Sequence, residues 1–454
     1  MDMCSGSVLK KMLLFSLPLM ASGVLQLLFN AADVIVVGNF AGDISMGAVG
    51  STSSLINLFT NLFVGLSVGV NVIAARAHGA GDYNLMHDTV HTAMLISVIS
   101  GAILAVLGFI LAPELLELMN ATEAQLPLAI LYLRIYFLGM PASMVYNFGS
   151  AILRAVGDTK RPLYFLTTAG VINVLLNMLF VIAFKMDVAG VALATVISQL
   201  ISAGLIVVCL TKDESAIHLD IKSLRIKSKI LLSFFRIGLP AGFQGVIFSL
   251  SNVVIQSSVN LFGDTVISGN SAAASIEGFI YMAMNTFYQA AISFTGQNIG
   301  AGKYDRIHKI LKSALLCVAV TGIAAGWTAY LLGRPLLGIY SGTGKVIDAG
   351  MVRLSVIVTT YAVCGMMDVM VGMLRGLGYA IMPMAVSLLG VCGLRLLWIA
   401  TVFQIPNYHT VFTVYLSYPI SWAITLLANI ICFAVIWHRI KKQHSECFKA
   451  KTCV

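Results

Sequence analysis

Apolar residues run through this chain in long blocks, broken by short polar clusters rather than alternating at a strand period. A block that crosses about 30 Å of hydrocarbon needs about 20 mostly apolar residues. Twelve stretches qualify: 12–38, 46–73, 90–112, 128–152, 163–184, 188–210, 237–260, 267–294, 310–332, 351–374, 384–404 and 411–437. Backbone amides in lipid must be bonded within their own element, so each stretch is predicted to be a helix. The expected fold is an all-α integral membrane protein with twelve transmembrane helices.

The pattern occurs twice. Asn39-Phe40-Ala41-Gly42 returns as Asn260-Leu261-Phe262-Gly263, a spacing of 221 residues counted from Asn39 to Asn260. At the same spacing Gly79-Ala80-Gly81 returns as Gly300-Ala301-Gly302, and Leu153-Arg154 through Gly157 to Pro162 returns as Leu374-Arg375 through Gly378 to Pro383. Six spans per half is an even number, so both halves enter the bilayer in the same orientation. Such parallel repeats are related by an axis along the membrane normal, and the space between them is the natural binding place. The expected organisation is an amino-terminal lobe at 1–211, a polar linker at 212–236, a carboxy-terminal lobe at 237–437 and a tail at 438–454, the two six-helix lobes being pseudo-symmetric.

Composition narrows the class. Hydrophobic residues make up 59% of the chain and charged ones only 10%, against roughly 25% charged in soluble domains. The net charge of +9 would suit nucleic acid were it clustered, but 22 of the 28 lysines and arginines fall on one predicted side of the membrane. That asymmetry is the signature of cytoplasmic loops. A multi-pass protein of the cell (inner) membrane with both termini cytoplasmic is expected, with no nucleic-acid partner. The polar start, Met1 to Lys11, precedes an apolar stretch too long for a cleavable leader. No loop is long enough for a nucleotide-binding module, no Gly-x-x-x-x-Gly-Lys phosphate loop occurs, and the eight cysteines show no metal or redox spacing. Neither an enzyme nor a cofactor is expected.

Polar side chains inside spans are costly and are candidate sites by default. Gln26, Asn30 and Asp33 follow at steps of four and three and share one face of the first span. Asn173 and Asn177 stand four apart on the fifth span, near Thr195 on the sixth, and with Asp33 they would form an oxygen-rich pocket. In the second half Glu277, Tyr281, Asn285 and Tyr288 form a stripe on the eighth span, with Asp368 on the tenth and Arg395 within the eleventh. Each acid has two readings. Asp33 is either a structural carboxylate or a cation or proton site. Glu277 or Asp368 either pairs with Arg395 or contacts substrate and exchanges protons. Most of the 21 methionines fill gaps between helices, but those lining a cavity would suit flat lipophilic cations.

The span-one opening Leu17-Pro18, the stretch Asp33 to Gly38, the paired Gly79/Gly300 and Leu153/Leu374 landmarks, and the run Gly190 to Gln199 together resemble the multidrug and toxic compound extrusion (MATE) family along nearly the whole chain. The resemblance implies a V-shaped antiporter of two six-helix lobes that exports organic cations in exchange for protons or sodium ions by alternating access. It implies that Asp33 is the essential span-one carboxylate, with Asn173, Asn177 and Thr195 completing the cation site, and that Pro18 marks the bend of the first helix. Gln26, Asn30, Glu277, Tyr281, Asn285 and Asp368 are the expected substrate contacts. Asn177 stands where many relatives carry aspartate, which favours protons over sodium, and Phe248 lies near a position where some carry glutamate, so that Glu277 and Asp368 are expected to take over the acidic work of the second lobe. No metal is expected beyond sodium at Asp33, and the protein is expected to be a monomer. The competing expectation is a flippase for lipid-linked saccharides on a related two-lobed scaffold, which would need a cationic cavity.

Overall fold

The computed structural model describes the backbone over 1–118 and 124–452, and the side chains within those stretches except Asp43, Ser54, Leu118 and those after Lys442. The end of the basic tail therefore lies outside the described residues. The helices are α1 (Val8–Phe40), α2 (Asp43–Ala80), α3 (Tyr83–Leu118), α4 (Leu126–Leu138), α5 (Met140–Ala155), α6 (Lys160–Asn177) and α7 (Asp187–Lys212). They continue as α8 (Ser228–Asn260), α9 (Asp264–Gly300), α10 (Ile307–Leu331), the short α11 (Gly333–Gly338), α12 (Gly344–Gly376), α13 (Ile381–Ser387), α14 (Leu394–Ala400) and α15 (Val411–Thr452). No strand occurs among the described residues.

Among the described residues ten helical spans are long and apolar enough to cross a membrane, and α4 with α5, bent by 48° at their junction, make an eleventh. The bend falls at Gly139, followed by Pro141, which has no amide to donate to the preceding turn. The remaining predicted stretch, 267–294, lies on the 37-residue α9, whose apolar character is diluted by Asn270, Glu277 and Asn285. The eleventh predicted span is a compound element, in which a π turn at Leu388–Gly393 joins α13 to α14. A similar π turn, Met178–Ala183, follows α6.

The sequence repeat has a backbone counterpart. Each landmark is a tight turn whose glycine has positive φ, and the angles recur: Gly42 at 96° and Gly263 at 88°, Gly81 at 66° and Gly302 at 68°, Gly157 and Gly378 both at 84°. Side chains other than glycine are strained there, so these residues are fixed by the geometry of the helix junctions.

By compactness the chain divides into one unit of Met1–Val246 with Gly296–Arg306, and a second of Ile247–Thr295 with Ile307–Val454. In the first, α3 packs on α4 and α5, α2 on α5, and α1 on α6, around a core that includes Leu66, Val70, Leu104, Phe137, Phe148 and Ile206. The linker 212–236 lies in this unit, with Ile217 and Leu219 buried. It is fastened to the start of α3 where the Asp220 amide donates to His91 Nε2 at 3.0 Å and Arg225 reaches Asp88 at 2.9 Å. In the second unit α12 packs on α10 and α15. Large apolar side chains such as Ile103, Val106 and Ile110 on α3, and Val320 and Ile323 on α10, point outward, as surfaces facing lipid tails do.

Small residues let the helices approach closely. On α2 and α8 of the first unit, a Cβ at Gly242 would fall 2.3 Å from the Leu62 carbonyl oxygen, and one at Gly65 would fall 2.3 Å from the Gly242 nitrogen. Gly204 on α7, by contrast, has open space at its Cβ position. Gly242→Ala is therefore expected to destabilise the protein by about 1–3 kcal/mol. Gly204→Ala should leave stability unchanged or raise it by up to about 1 kcal/mol through helix propensity. Thermal unfolding of the two variants in detergent checks the contrast.

Candidate functional site

Four of the polar residues expected to meet do meet, inside the first unit. Asn177 Nδ2 donates a short hydrogen bond to Asp33 Oδ1 and lies 3.3 Å from Asn173 Oδ1. Asn173 Nδ2 in turn lies 3.4 Å from Thr195 Oγ1, and that hydroxyl bonds the Val191 carbonyl at 2.9 Å. Three helices thus contribute: α1 the carboxylate, α6 the amides and α7 the hydroxyl. Asn173 and Asn177 are buried, while Asp33 and Thr195 are half-buried. Asn177 Oδ1 is buried with no hydrogen-bond partner. Among the described residues no basic side chain pairs with Asp33.

The local sequence explains why these groups coincide. Asn173 and Asn177 are one helical turn apart, and the backbone widens into the Met178–Ala183 π turn immediately afterwards, a distortion frequent at functional sites. One turn before Asp33, the Phe29 ring occupies a notch opened by Gly170, where a Cβ would lie 1.9 Å from the ring. This contact sets α1 against α6. Beyond Asp33, Val36 and Val37 join Tyr132, Val181, Val188, Val191 and Ala192 in an apolar cluster that flanks the polar groups. Sequence reasoning did not single out Phe29 and Gly170, because one bulky and one small apolar residue far apart in the chain carry no local signal. Gln26 and Asn30, expected on the same face of α1, are both exposed.

The second unit handles its buried acid differently. Glu277 is gripped by Arg353, whose Nε and Nη2 each lie 2.7 Å from a carboxylate oxygen. Arg353 Nη1 also donates to Asn270 Oδ1 at 2.6 Å, which accepts from the Tyr415 hydroxyl at 3.0 Å, while Asn270 Nδ2 donates to Gln256 at 2.8 Å. Of the two readings of Glu277, the structure shows a paired carboxylate, but with Arg353 in place of Arg395 as the partner. The apolar stretch 351–374 leaves Arg353 at the edge of its span. In fact α12 begins at Gly344, nine residues before Arg353, which places that side chain roughly 14 Å along the helix, and the turn-forming Ser341-Gly-Thr-Gly344 was the signal that could have shown it. Arg395 instead lies over the Tyr418 ring, 4.0 Å from its centroid, and bonds Ser421 Oγ at 2.9 Å.

The other expected contacts of this half are placed as follows. Asn285 Nδ2 lies 3.3 Å from the Tyr281 hydroxyl. Asp368 is half-buried on α12, within electrostatic reach of Tyr281 and Arg375, and among the described residues it forms no direct ion pair, with Arg395 or otherwise. Gly365 and Gly372, about one turn to either side of it, bring α12 against Met284 and Tyr288 of α9.

A carboxylate gripped on both oxygens by one guanidinium is costly to half-remove. Glu277→Gln is expected to lower stability by roughly 3–5 kcal/mol, because it leaves Arg353 charged and buried. Adding Arg353→Met should recover most of that loss. Thermal unfolding of the single and double variants measures the coupling. The comparisons with known proteins bear on the whole arrangement. The MatE family model matches residues 18–179 and 240–400, one match in each half. Two proteins of Bacillus subtilis (strain 168) are similar along most of their length. The probable multidrug resistance protein YoeA is 25% identical over 96% of this chain and 95% of its own, and the probable multidrug resistance protein YpnP is 29% identical over 87% and 88%. Among solved structures, an outward-facing multidrug resistance MATE family transporter has the same fold, with a TM-score of 0.90 at 20% identity over 97% of this chain and 98% of that one. The match of the family model over most of the chain, on this fold, establishes that the chain belongs to the MatE family.

Proposed function

We propose that the protein is a cation-coupled antiporter that exports lipophilic organic cations by alternating access, with Asp33 as the coupling carboxylate. One observation carries the proposal: Asp33 accepts from the buried Asn177 amide, which is linked through Asn173 to the Thr195 hydroxyl, yet it has no basic partner among the described residues. A carboxylate so placed is best neutralised by something that arrives and leaves. Asn177 Oδ1 and Asn173 Oδ1 supply further oxygens around it. We take the proton as the coupling ion, because a single carboxylate among neutral donors is fully discharged by one proton, whereas a sodium site would have Asn177 where a second charge would help. The names of the Bacillus subtilis relatives support drug-like substrates.

In this reading the exposed Gln26 and Asn30 on α1, together with Tyr281, Asn285 and Asp368 in the other half, contact substrate. Glu277, neutralised by Arg353, holds α9 to α12. The repeat halves, 1–211 and 237–437, are the moving lobes and 212–236 is their cytoplasmic linker. Both termini lie on the cytoplasmic side, in keeping with the charge asymmetry of the loops. The protein works as a monomer and needs no cofactor beyond the coupling ion. The flippase reading receives less support, since a diphosphate calls for several free cationic groups and Arg353 is already committed to Glu277.

Uptake of a lipophilic cationic dye into everted membrane vesicles tests the proposal. Transport should follow an imposed pH gradient and not a sodium gradient. Asp33→Asn should lower it by roughly tenfold or more, because a group with no differential affinity for the ion cannot shift the conformational equilibrium. That variant should still purify as a folded protein. Undiminished export by Asp33→Asn sinks the assignment of Asp33, and a dependence on sodium alone replaces the proton with sodium.

A further inference from the structure

The segment ahead of α1 is tied to the second repeat's landmark turn, within the first compact unit. Met3 is fully buried; its amide donates to Gln297 Oε1 at 3.1 Å and its carbonyl accepts from Asn298 Nδ2 at 3.1 Å. Lys303 Nζ donates to the Cys4 carbonyl at 3.0 Å, and Arg306 Nη2 donates to the carbonyls of Ser5 at 3.2 Å and Gly6 at 3.1 Å. Gln297 Nε2 adds a bond of 2.6 Å to the Ala155 carbonyl at the end of α5. Residues 296–306 therefore group with the first unit, although the body of α9, up to Thr295, groups with the second.

We propose that Met3–Gly6 is a releasable strap that fastens the Gly300 end of α9 to the first repeat, and that it must open during the transport cycle. The kind of contact supports release. The bonds from Lys303 and Arg306 go to main-chain carbonyls at exposed positions, where water can take their place. Beneath the strap, helix ends meet backbone to backbone at two glycines: a Cβ at Gly79 would fall 1.9 Å from the Gln297 carbonyl oxygen, and one at Gly300 would fall 2.1 Å from that of Arg76. At these two glycines no side chain has to repack for the backbones to part, and the side-chain bonds of Gln297 and Asn298 are what must break. The segment ahead of α8, one repeat later, is also held by polar bonds, and to the other repeat: Arg225 and Lys227 reach Asp88, and the Lys227 amide donates to Thr92 Oγ1 at 3.2 Å. Each repeat's leading segment is thus bonded to the opposite repeat, as a pair of reciprocal fastenings would be.

The strap's opening during turnover rests on the alternating-access reading, but its ability to open does not, and two arms separate them. In a chain with its native cysteines changed to serine, Met3→Cys is exposed to a membrane-impermeant maleimide. Labelling should be slow, and at least about tenfold faster when Arg306→Ala or Lys303→Ala loosens the strap, as expected for a local opening equilibrium. If neither substitution changes the rate, the segment is a fixed anchor and the proposal fails. In the second arm Cys4 is retained and bridged to Lys303→Cys by a short cleavable bis-thiosulfonate, and cationic dye transport is measured. Bridging should cut transport by roughly tenfold or more, and a reducing agent should restore it. Normal transport by the bridged protein overturns the proposal. Absence of transport even without the bridge counts against the antiporter reading, and the strap is then judged on the labelling arm alone.

Discussion

The arrangement of the first unit turns on one contact, the Asn177 amide against the Asp33 carboxylate. A carboxylate among helices is costly unless it is bonded or discharged. Here it is bonded but not neutralised, because its bonded neighbour is an amide, linked on to a second amide and a hydroxyl, rather than a guanidinium. Much of the surrounding structure serves that contact. The Phe29 ring in the Gly170 notch fixes α1 against α6, and the Val36, Val37 and Tyr132 cluster keeps an apolar flank beside the charge. An amide can donate to the ionised carboxylate or, with its oxygen turned, accept from the protonated acid. Asn177 therefore tolerates both states where an arginine would favour one.

The second unit shows the opposite solution. Glu277 is matched oxygen for nitrogen by Arg353, whose third nitrogen donates to Asn270. Such a pair ties α9 to α12 firmly and leaves little room for exchange. The two halves share turns, helix order and glycine geometry, yet their acids are in unlike surroundings. We take this asymmetry as a division of labour, with ionic exchange in the first repeat and a rigid scaffold beside Asp368 and Tyr281 in the second.

Much of this was legible in the residues. Eleven of the twelve expected spans follow from apolar length and the twelfth lies on the more polar α9, and the repeat was visible because left-handed turns restrict sequence so strongly that Gly42, Gly81 and Gly157 have counterparts at Gly263, Gly302 and Gly378. The meeting of Asp33 with Asn173, Asn177 and Thr195 could be anticipated from helical spacing and from the family resemblance. What failed was depth and pairing. Apolar blocks mark the core of a helix and not its start, so the stretch beginning at 351 leaves Arg353 at a span edge and Arg395 as a candidate partner for either Glu277 or Asp368. The strap was invisible for another reason: its bonds join residues nearly 300 positions apart, mostly through main-chain carbonyls that every sequence possesses. Apolar periodicity reports what lies in lipid and says little about polar segments that fold back over helix ends.

The central claim is that the Asp33 carboxylate gives up a proton as part of its work. Binding of a lipophilic cation to the purified protein, followed by calorimetry in buffers of different ionisation enthalpy, reads proton release directly. The account predicts release of about one proton per bound cation at a pH where the site is protonated, and none in Asp33→Asn. Binding that releases no proton from the native protein at any pH, or releases it equally from Asp33→Asn, would contradict it.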